Sequence, residues 1–394
     1  MVKIGLKISR VGIIGTAPHR FLDITLVSEV ENLRYFHFSS DNEAFQALLD
    51  VGLAWDDFTR KFSGRRFSWD TFYRNYASYL RPEKKLIDIL PTEMLRVVTH
   101  EISKSDMVWV GDNDFDSSFV FATLLGILGI PYVLTFKETR IYPNEFEFFA
   151  LENAERIIVP HDGYLELLRK KYNKDFSEKI EYADVDWRSK VVYDFLEKQK
   201  VRKLSEMDNK IHVCILSGRV IWDKNETRSR GRYYYVDIIE ELLKAGFTVH
   251  LHTKALIKSV NEPIFEKDNP YFKLKQRYQN SFFIEQPINL LKPEGYLELM
   301  KYDLGLLTSG AATEDPEFME FEQYNIPNRY YEYLMAGVIP IAPEGTLKYM
   351  EKYYNNVIFF KHCKEIRDKL RNTCISTVPE KFFCDLIKVV VSSY

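Results

Sequence analysis

Short apolar segments alternate with helix-like segments along most of this chain, and this rhythm restricts the folds open to it. In the first half, Met107–Val110, Tyr132–Phe136 and Arg156–Pro160 are predicted strands, and a helical stretch around Glu145–Asn153 separates the last two. Strands that are apolar throughout and are separated by helices are typical of parallel sheets covered on both faces. We therefore predict an α/β fold.

The second half repeats this rhythm. Two predicted helices, Tyr234–Ala245 and Tyr330–Met335, are followed by Gly246 and Gly337, and glycine is the residue that most often ends a helix. The predicted strands around them are Ile211–Leu216, Phe247–His252, Phe282–Ile284, Leu304–Leu307 and Val338–Ala342.

The chain has 394 residues, more than the roughly 250–300 at which one hydrophobic core stops growing. We predict a first domain over 1–190 and a second over 205–377, with the polar stretch Asp186–Lys210 joining them. A last helix over 378–394 is predicted to pack back on the first domain. A single large α/β barrel is the competing architecture.

Composition excludes several classes of protein. A net charge of −3 gives no overall attraction to nucleic acid. The four cysteines lack paired spacing, which argues against a zinc site and against a disulfide scaffold. The apolar run Phe119–Phe136 approaches bilayer length, but Gly126, Gly129 and Pro131 favour a helix, a turn and a strand over a membrane span. The N-terminus has no secretory pattern, so we expect a cytoplasmic protein.

The segment Ile211–Lys224 is the first candidate site. A predicted buried strand leads to Ser217, Gly218 and Arg219, and Lys224 follows. Ligands of open α/β sheets bind outside the carboxyl ends of strands, where glycine admits close approach and arginine can bind two phosphate oxygens. The alternative is a strand end with two solvated cations.

The segment Asn325–Ile341 is the second candidate site. Pro327 opens a predicted helix, and Glu332 lies one turn into it. A helix N-terminus favours anions, and a carboxylate nearby can accept hydrogen bonds from a ribose diol. The alternative is a core helix in which Glu332 pairs with Arg329.

Together these segments resemble the donor half of GT-B glycosyltransferases, most closely the retaining family-4-type (group 1) enzymes. The match to their strand-G-R-x(n)-K motif is Gly218, Arg219 and Lys224. The match to their P-N-K-x-x-E-Y-x-x-A-G-x-P motif is Pro327, Asn328, Arg329 in place of lysine, Glu332, Tyr333, Ala336, Gly337 and Pro340.

The resemblance implies a GT-B fold with two Rossmann-like domains that face a cleft. It implies no metal ion for the diphosphate, and it makes Arg219, Lys224 and Glu138 the catalytic candidates. The implied donor-binding residues are Ser217, Gly218, Arg219, Lys224, Gln286, Pro327, Asn328, Arg329 and Glu332. The implied acceptor-side residues are Gly15, Asp112, Lys137, Glu138 and His161.

The chain departs from the family pattern at two positions. Lys137 stands where a cleft histidine is expected before Glu138. Tyr324 stands where many members place a glutamate that faces the transferred sugar, and the nearby acidic residues Glu317, Glu320 and Glu322 are candidate replacements or a solvated loop.

The resemblance implies a hexosyltransferase that acts on a nucleotide diphosphate sugar with retention. The implied acceptor is a glycan or lipid-linked glycan of surface polysaccharide or glycoconjugate synthesis. The basic and aromatic residues of 58–80 suit an anionic membrane surface, which predicts a peripheral enzyme at the inner membrane face, or they cap the first domain. The alternatives are a nucleotide-sugar epimerase and an inactive nucleotide-sugar-binding protein.

Overall fold

The structure is a computed structural model that divides into two compact units at Ser189–Lys190. It describes residues 10–15, 32–37, 107–110, 122, 125–135, 143, 145–183, 190–218, 220–224, 233–254, 256–259, 262–263, 269–290, 293–309, 319–320 and 322–372. The segment 58–80 and the predicted last helix over 378–394 lie outside these residues.

The first unit holds one parallel sheet, and its strands are β1 (Arg10–Gly15), β2 (Asn32–His37), β3 (Met107–Val110), β4 (Tyr132–Thr135), β5 (Arg156–Val159) and β6 (Ile180–Tyr182). Their order is β2-β1-β3-β4-β5-β6. The helices α1 (Glu145–Asn153) and α2 (Gly163–Tyr172) connect its later strands. The order reverses between β1 and β3, as it does in doubly wound α/β folds.

Buried apolar side chains explain why the strands of the first unit form. Every described side chain of β3 and β4 is buried. The three polar side-chain groups there are satisfied, because Trp109 Nε1 donates to Thr135 Oγ1 at 2.6 Å and the Tyr132 hydroxyl donates to the Ala150 carbonyl oxygen at 2.6 Å. The predicted turn before β4 is confirmed by Gly129, whose φ is +66°. No helix in the described part of the chain is long and apolar enough to span a bilayer.

The main sheet of the second unit is also parallel, and its strands are β7 (His212–Ser217), β9 (Thr248–Thr253), β12 (Phe282–Glu285), β13 (Leu304–Leu306), β14 (Ile339–Pro343) and β15 (Ile358–Phe360). Their order, β12-β9-β7-β13-β14-β15, is the 3-2-1-4-5-6 order of Rossmann domains. A small sheet contains β8 (Val220–Ile221), β10 (Leu256–Ser259) and β11 (Glu262–Pro263).

The helices of the second unit whose bounds lie within the described residues are α3 (Lys190–Glu197), α4 (Ser205–Asp208), α5 (Val236–Lys244), α6 (Pro270–Arg277), α7 (Pro293–Leu299), α8 (Asn328–Met335), α9 (Lys348–Tyr353) and α10 (Ile366–Asn372). Apolar residues at helical spacing bury one face of α5 on β9. The predicted helix ends at Gly246 and Gly337 are confirmed, because both glycines have positive φ, at +84° and +62°.

The predicted polar connection, Asp186–Lys210, contains α3 and α4 rather than an extended linker. Lys203 Nζ lies 2.5 Å from the Tyr302 carbonyl oxygen, and Ser205 Oγ lies 2.6 Å from Asp303 Oδ1. These contacts join residues far apart in sequence, so the later part of the connection is packed into the second unit.

The side chain of Tyr333, in α8, passes beneath β7 and β13. Its hydroxyl accepts from the Leu216 N–H at 3.3 Å and lies within 3.3 Å of the Cys214 carbonyl oxygen and 3.2 Å of the Leu306 carbonyl oxygen. Its ring covers Gly305, where an added Cβ would lie 2.5 Å from a ring carbon. The absence of a side chain at Gly305 therefore lets α8 pack closely against the sheet.

We expect Gly305→Ala to lower the free energy of unfolding by about 1–3 kcal/mol, because both the ring and the strand are buried and neither can move aside freely. Urea unfolding of the full chain measures this change. Gly218→Ala is the matched control, because its Cβ would meet no described heavy atom within 4 Å. Equal midpoints for the two variants would contradict the proposed ring contact.

Candidate functional site

A cavity of about 350 Å³ opens at the carboxyl ends of β7, β9 and β12, beside α8. Doubly wound sheets bind ligands at this edge, near the point where the strand order reverses between β7 and β13. The residues that line the cavity are Leu216, Ser217, Gly218, Tyr233, His252, Lys254, Pro287, Ile288, Leu290, Arg329 and Glu332.

The cavity brings together four of the residues predicted to bind a donor. Ser217 ends β7 and Gly218 follows it, while Arg329 and Glu332 come from α8, more than a hundred positions later in the chain. Gly218 is exposed and faces open space, so a ligand can approach the backbone there. The structure thus places residues from both predicted motifs at one site.

Arg329 is anchored at the cavity wall rather than extended into solvent. Its Nη1 donates to the Leu216 carbonyl oxygen at 3.0 Å and to the Tyr235 hydroxyl at 3.1 Å. A guanidinium carries five donors on three nitrogens, and both of these bonds come from one nitrogen. Arg329 therefore ties α8 to β7 and contributes positive charge to the cavity.

Lys224 lies outside the cavity lining. Its Nζ donates to Asp237 Oδ2, in the first turn of α5, at 3.2 Å. Arg219 lies outside the described residues. Pro327 and Asn328 form the start of α8 but do not line the cavity.

Gln286 also lies outside the cavity lining, next to Pro287. Its side chain is exposed, while its carbonyl oxygen accepts a hydrogen bond from His252 Nδ1 at 2.8 Å. The contribution of Gln286 to the site is therefore made by its backbone.

The acceptor-side candidates belong to the first unit. Gly15 is the last residue of β1. His161 is buried after β5, and its ring contacts that of Tyr164 with centroids 4.9 Å apart. Asp112, Lys137 and Glu138 lie outside the described residues.

The position at which the family pattern expects a sugar-facing glutamate is part of the core. Tyr324 is buried, and its ring stacks on Tyr349 with centroids 5.1 Å apart. Among the replacement candidates, Glu322 is buried and accepts from Asn325 Nδ2 at 3.2 Å, and Glu320 is half-buried. Neither residue lines the cavity, and Glu317 lies outside the described residues.

A chain of hydrogen-bonded histidines crosses the sheet below the cavity. His212 Nε2 lies 3.0 Å from Asp208 Oδ1, and His212 Nδ1 lies 2.9 Å from His250 Nε2. His250 Nδ1 lies 2.5 Å from Glu285 Oε1. These three contacts link α4 through β7 and β9 to β12.

His252 lies beside this network at the cavity wall, with its Nε2 4.0 Å from Glu285 Oε2. Its Nδ1 donates to Gln286, and its Nε2 lies 2.8 Å from the Tyr302 hydroxyl, which suits a neutral ring that accepts there. Burial lowers the pKa of His252 below its ordinary value of 6.5, and the hydrogen bond to Gln286 opposes this. The hydrogen bond from His250 lowers the pKa of Glu285.

The sequence analysis did not identify His252 or Lys254 as site residues. The sequence could have indicated both residues, because alternate residues of a strand share a face and the residue after a strand lies at its carboxyl edge. His250 and His252 have this spacing near the end of β9, and Lys254 directly follows the strand.

The lowered pKa of His252 predicts the direction in which the stability of the protein changes with pH. Below about pH 6.5 the unfolded histidine gains a proton that native His252 resists, so lower pH favours unfolding. As the pH falls below about 6.5, we expect the difference in the free energy of unfolding between wild type and His252→Gln to shrink by up to about 1.4 kcal/mol per pH unit. Urea unfolding at about pH 7.5 and about pH 5.5 measures it.

The comparison with His252→Gln isolates one group among several. His250, Glu285 and Tyr302 face the same region, and all three remain in the variant. The lowered pKa of Glu285 affects stability in a more acidic window, below its ordinary value of 4.5. A pH-independent difference between wild type and variant would show that native His252 titrates normally.

The fold is similar to those of several solved structures. A glycosyltransferase from Rickettsia africae is 11% identical, with a TM-score of 0.52 over 98% of this chain and 93% of that one. A UDP-forming trehalose-phosphate synthase from Burkholderia xenovorans is 9% identical, with a TM-score of 0.51 over 98% and 96%. A putative UDP-N-acetylglucosamine 2-epimerase from Listeria monocytogenes is 13% identical, with a TM-score of 0.53 over 96% and 90%.

At these identities the similarity establishes the fold alone. The predicted GT-B architecture of two parallel α/β halves is confirmed. No protein-family profile matches the sequence, and no curated protein is similar to it in sequence. Membership of the retaining family-4-type enzymes therefore stays a prediction.

Proposed function

We propose that this chain is a glycosyltransferase that binds a nucleoside diphosphate sugar in the cavity of its second unit. The observation that carries the proposal is the convergence of Ser217, Gly218, Arg329 and Glu332 at the carboxyl edge of a sheet with Rossmann strand order. This combination offers open backbone, positive charge and a carboxylate within one cavity.

Each of these groups suits one part of the donor. Open backbone at Gly218 lets the diphosphate approach the end of β7, where Arg329 supplies positive charge. Arg219, which directly follows Gly218, is proposed as a second cation for the diphosphate. The half-buried carboxylate of Glu332 suits the two hydroxyls of a ribose, because carboxylates accept strong hydrogen bonds.

The proposed reaction breaks the bond between the anomeric carbon and the diphosphate oxygen, and a bond forms from that carbon to an acceptor oxygen. The acceptor proton leaves with the nucleoside diphosphate or with solvent. Arg219 and Arg329 would stabilise the negative charge that develops on the departing diphosphate, and such preorganised charge is a large catalytic term. Glu138 is proposed to orient the acceptor in the first unit.

The finer assignments are also proposals. The motif resemblance supports a retaining hexosyltransferase, and the basic, aromatic segment 58–80 supports a lipid-linked or glycan acceptor at the inner membrane face. The departures at Lys137 and Tyr324 leave an epimerase of the same fold, or a binding protein without transfer activity, as the rival functions.

A thermal-shift panel of UDP, GDP, ADP, dTDP and CMP tests the donor site. A nucleotide at about 100 times its dissociation constant stabilises the native state by about 2.7 kcal/mol. We expect one diphosphate to shift the unfolding temperature of wild type, and the shift to shrink in Arg219→Ala. No shift with any nucleotide would overturn the proposed donor site.

Product analysis then separates the rival functions. The corresponding nucleotide sugar is incubated with the full chain, with and without a membrane glycan extract, and products are identified by mass spectrometry and sugar NMR. Transfer that requires the extract supports the proposal. A changed sugar configuration without an acceptor identifies an epimerase, and an unchanged donor that binds tightly identifies a binding protein.

A further inference from the structure

Lys254 is a cation at the cavity that neither motif contains. It follows Thr253, the last residue of β9, and Thr253 is the register partner of Ser217 on β7. Lys254 therefore lies beside Gly218 at the carboxyl edge of the sheet. It is exposed and lines the cavity.

The two lysines near this edge differ in their surroundings. Lys224, the lysine of the resembled motif, binds Asp237 and lies outside the cavity lining. Lys254 forms no hydrogen bond or ion pair with any residue that the structure describes. Among the described residues, a ligand phosphate at Lys254 would therefore displace no carboxylate, whereas at Lys224 it would compete with Asp237.

The neighbours of Lys254 favour an anionic ligand. Gly218 leaves open space next to it, and Arg329 adds a second positive charge to a cavity whose described lining has one carboxylate, that of Glu332. A lysine ammonium is a compact point charge that binds phosphate oxygens well.

We propose that Lys254, rather than Lys224, is the lysine that contacts the diphosphate of the donor. The proposal rests on the proposed function and adds to it, because it assigns the anion contact to a different strand from the one the motif implies. The strand β9 then shares the diphosphate with the end of β7.

Isothermal titration with two probes tests this assignment. The probes are the nucleoside diphosphate that stabilises wild type in the thermal-shift panel and the same nucleoside without phosphates. The proteins are the full-length wild type, Lys254→Ala, Lys254→Arg and Lys224→Ala. Because Lys254 is exposed, we expect the unfolding temperature of its variants to stay within error of wild type.

We expect Lys254→Ala to weaken diphosphate binding about tenfold and to leave nucleoside binding unchanged, since only the phosphates meet the ammonium. Lys254→Arg keeps the charge and should retain most of the affinity. Lys224→Ala should change the affinity by less than about twofold.

Three outcomes would overturn the assignment. In the first, Lys224→Ala weakens diphosphate binding and Lys254→Ala does not. In the second, Lys254→Ala weakens nucleoside and diphosphate equally, which indicates a structural role. In the third, wild type binds none of the diphosphates, and the proposed function fails together with the inference.

Discussion

Replacing Gly295 with alanine should weaken nucleotide binding about tenfold or more and lower the free energy of unfolding by about 1–3 kcal/mol. Gly295 lies in α7, and an added Cβ would stand 2.0 Å from the Asn289 carbonyl oxygen. Ile288 and Leu290, which flank Asn289 in the sequence, line the cavity. Relief of the clash therefore requires the cavity wall to move.

Helix propensity alone predicts that Gly295→Ala stabilises the protein, so the expected loss of stability is an informative result. Alanine in a helix is favoured over glycine by about 0.5–1 kcal/mol, so a stabilised variant would show that the 286–290 segment yields easily. Glu294→Ala is the matched control, because this exposed neighbour lies on the same helix. Titration with the stabilising diphosphate and urea unfolding measure both quantities, and normal binding by Gly295→Ala would contradict the prediction.

Replacing Glu332 with alanine should weaken diphosphate binding by about 10- to 100-fold, because a hydrogen bond to a charged group contributes about 1.5–3 kcal/mol. Glu332→Gln keeps the size and loses the charge, so an intermediate loss is expected. Glu197→Ala, on an exposed position of α3, is the control for removal of a carboxylate. The dissociation constants are measured by titration of the full chain.

A dideoxy form of the same nucleotide assigns the loss to the ribose. For wild type, removing both ribose hydroxyls should lower the affinity almost as much as the Glu332→Ala substitution does. For Glu332→Ala, removing the hydroxyls should lower the affinity little more. This is a double-mutant cycle between protein and ligand. Independent, additive losses would show that Glu332 does not contact the ribose.

The sequence was sufficient for eight of the strands because parallel strands buried on both faces are continuous apolar runs. The strands β1, β2, β6 and β15 of the two main sheets were not predicted. The predicted strands of both halves appear within a residue or two of their predicted ends, as at Met107–Val110 and Ile211–Leu216. Helix ends at Gly246 and Gly337 were predictable because glycine tolerates the left-handed conformation. The order of the strands was not written in any local pattern.

The residues of the cavity were predictable only in part, because some of their contacts depend on how distant segments pack. Ser217 and Glu332 could be placed because Ser217 lies at the end of a predicted strand and Glu332 lies one turn into a predicted helix, each within a known motif. The pairing of Lys224 with Asp237 depends on where α5 lies against the strand end, and the histidine network depends on which strands are neighbours. The stacking of Tyr324 on Tyr349 depends on the packing of α9. Such contacts follow from tertiary arrangement, which a local motif does not encode.

The contact between Tyr333 and Gly305 has a consequence for how relatives of this chain can diverge. The ring occupies the space that any side chain at position 305 would need, so we expect the two positions to vary together among relatives. A lineage that shrinks the residue at 333 becomes free to gain a side chain at 305, whereas the reverse order of changes passes through a damaged intermediate. Tyr333, the tyrosine of the resembled motif, then has an architectural role, and we expect its loss to be accompanied by change at 305 before any change in ligand.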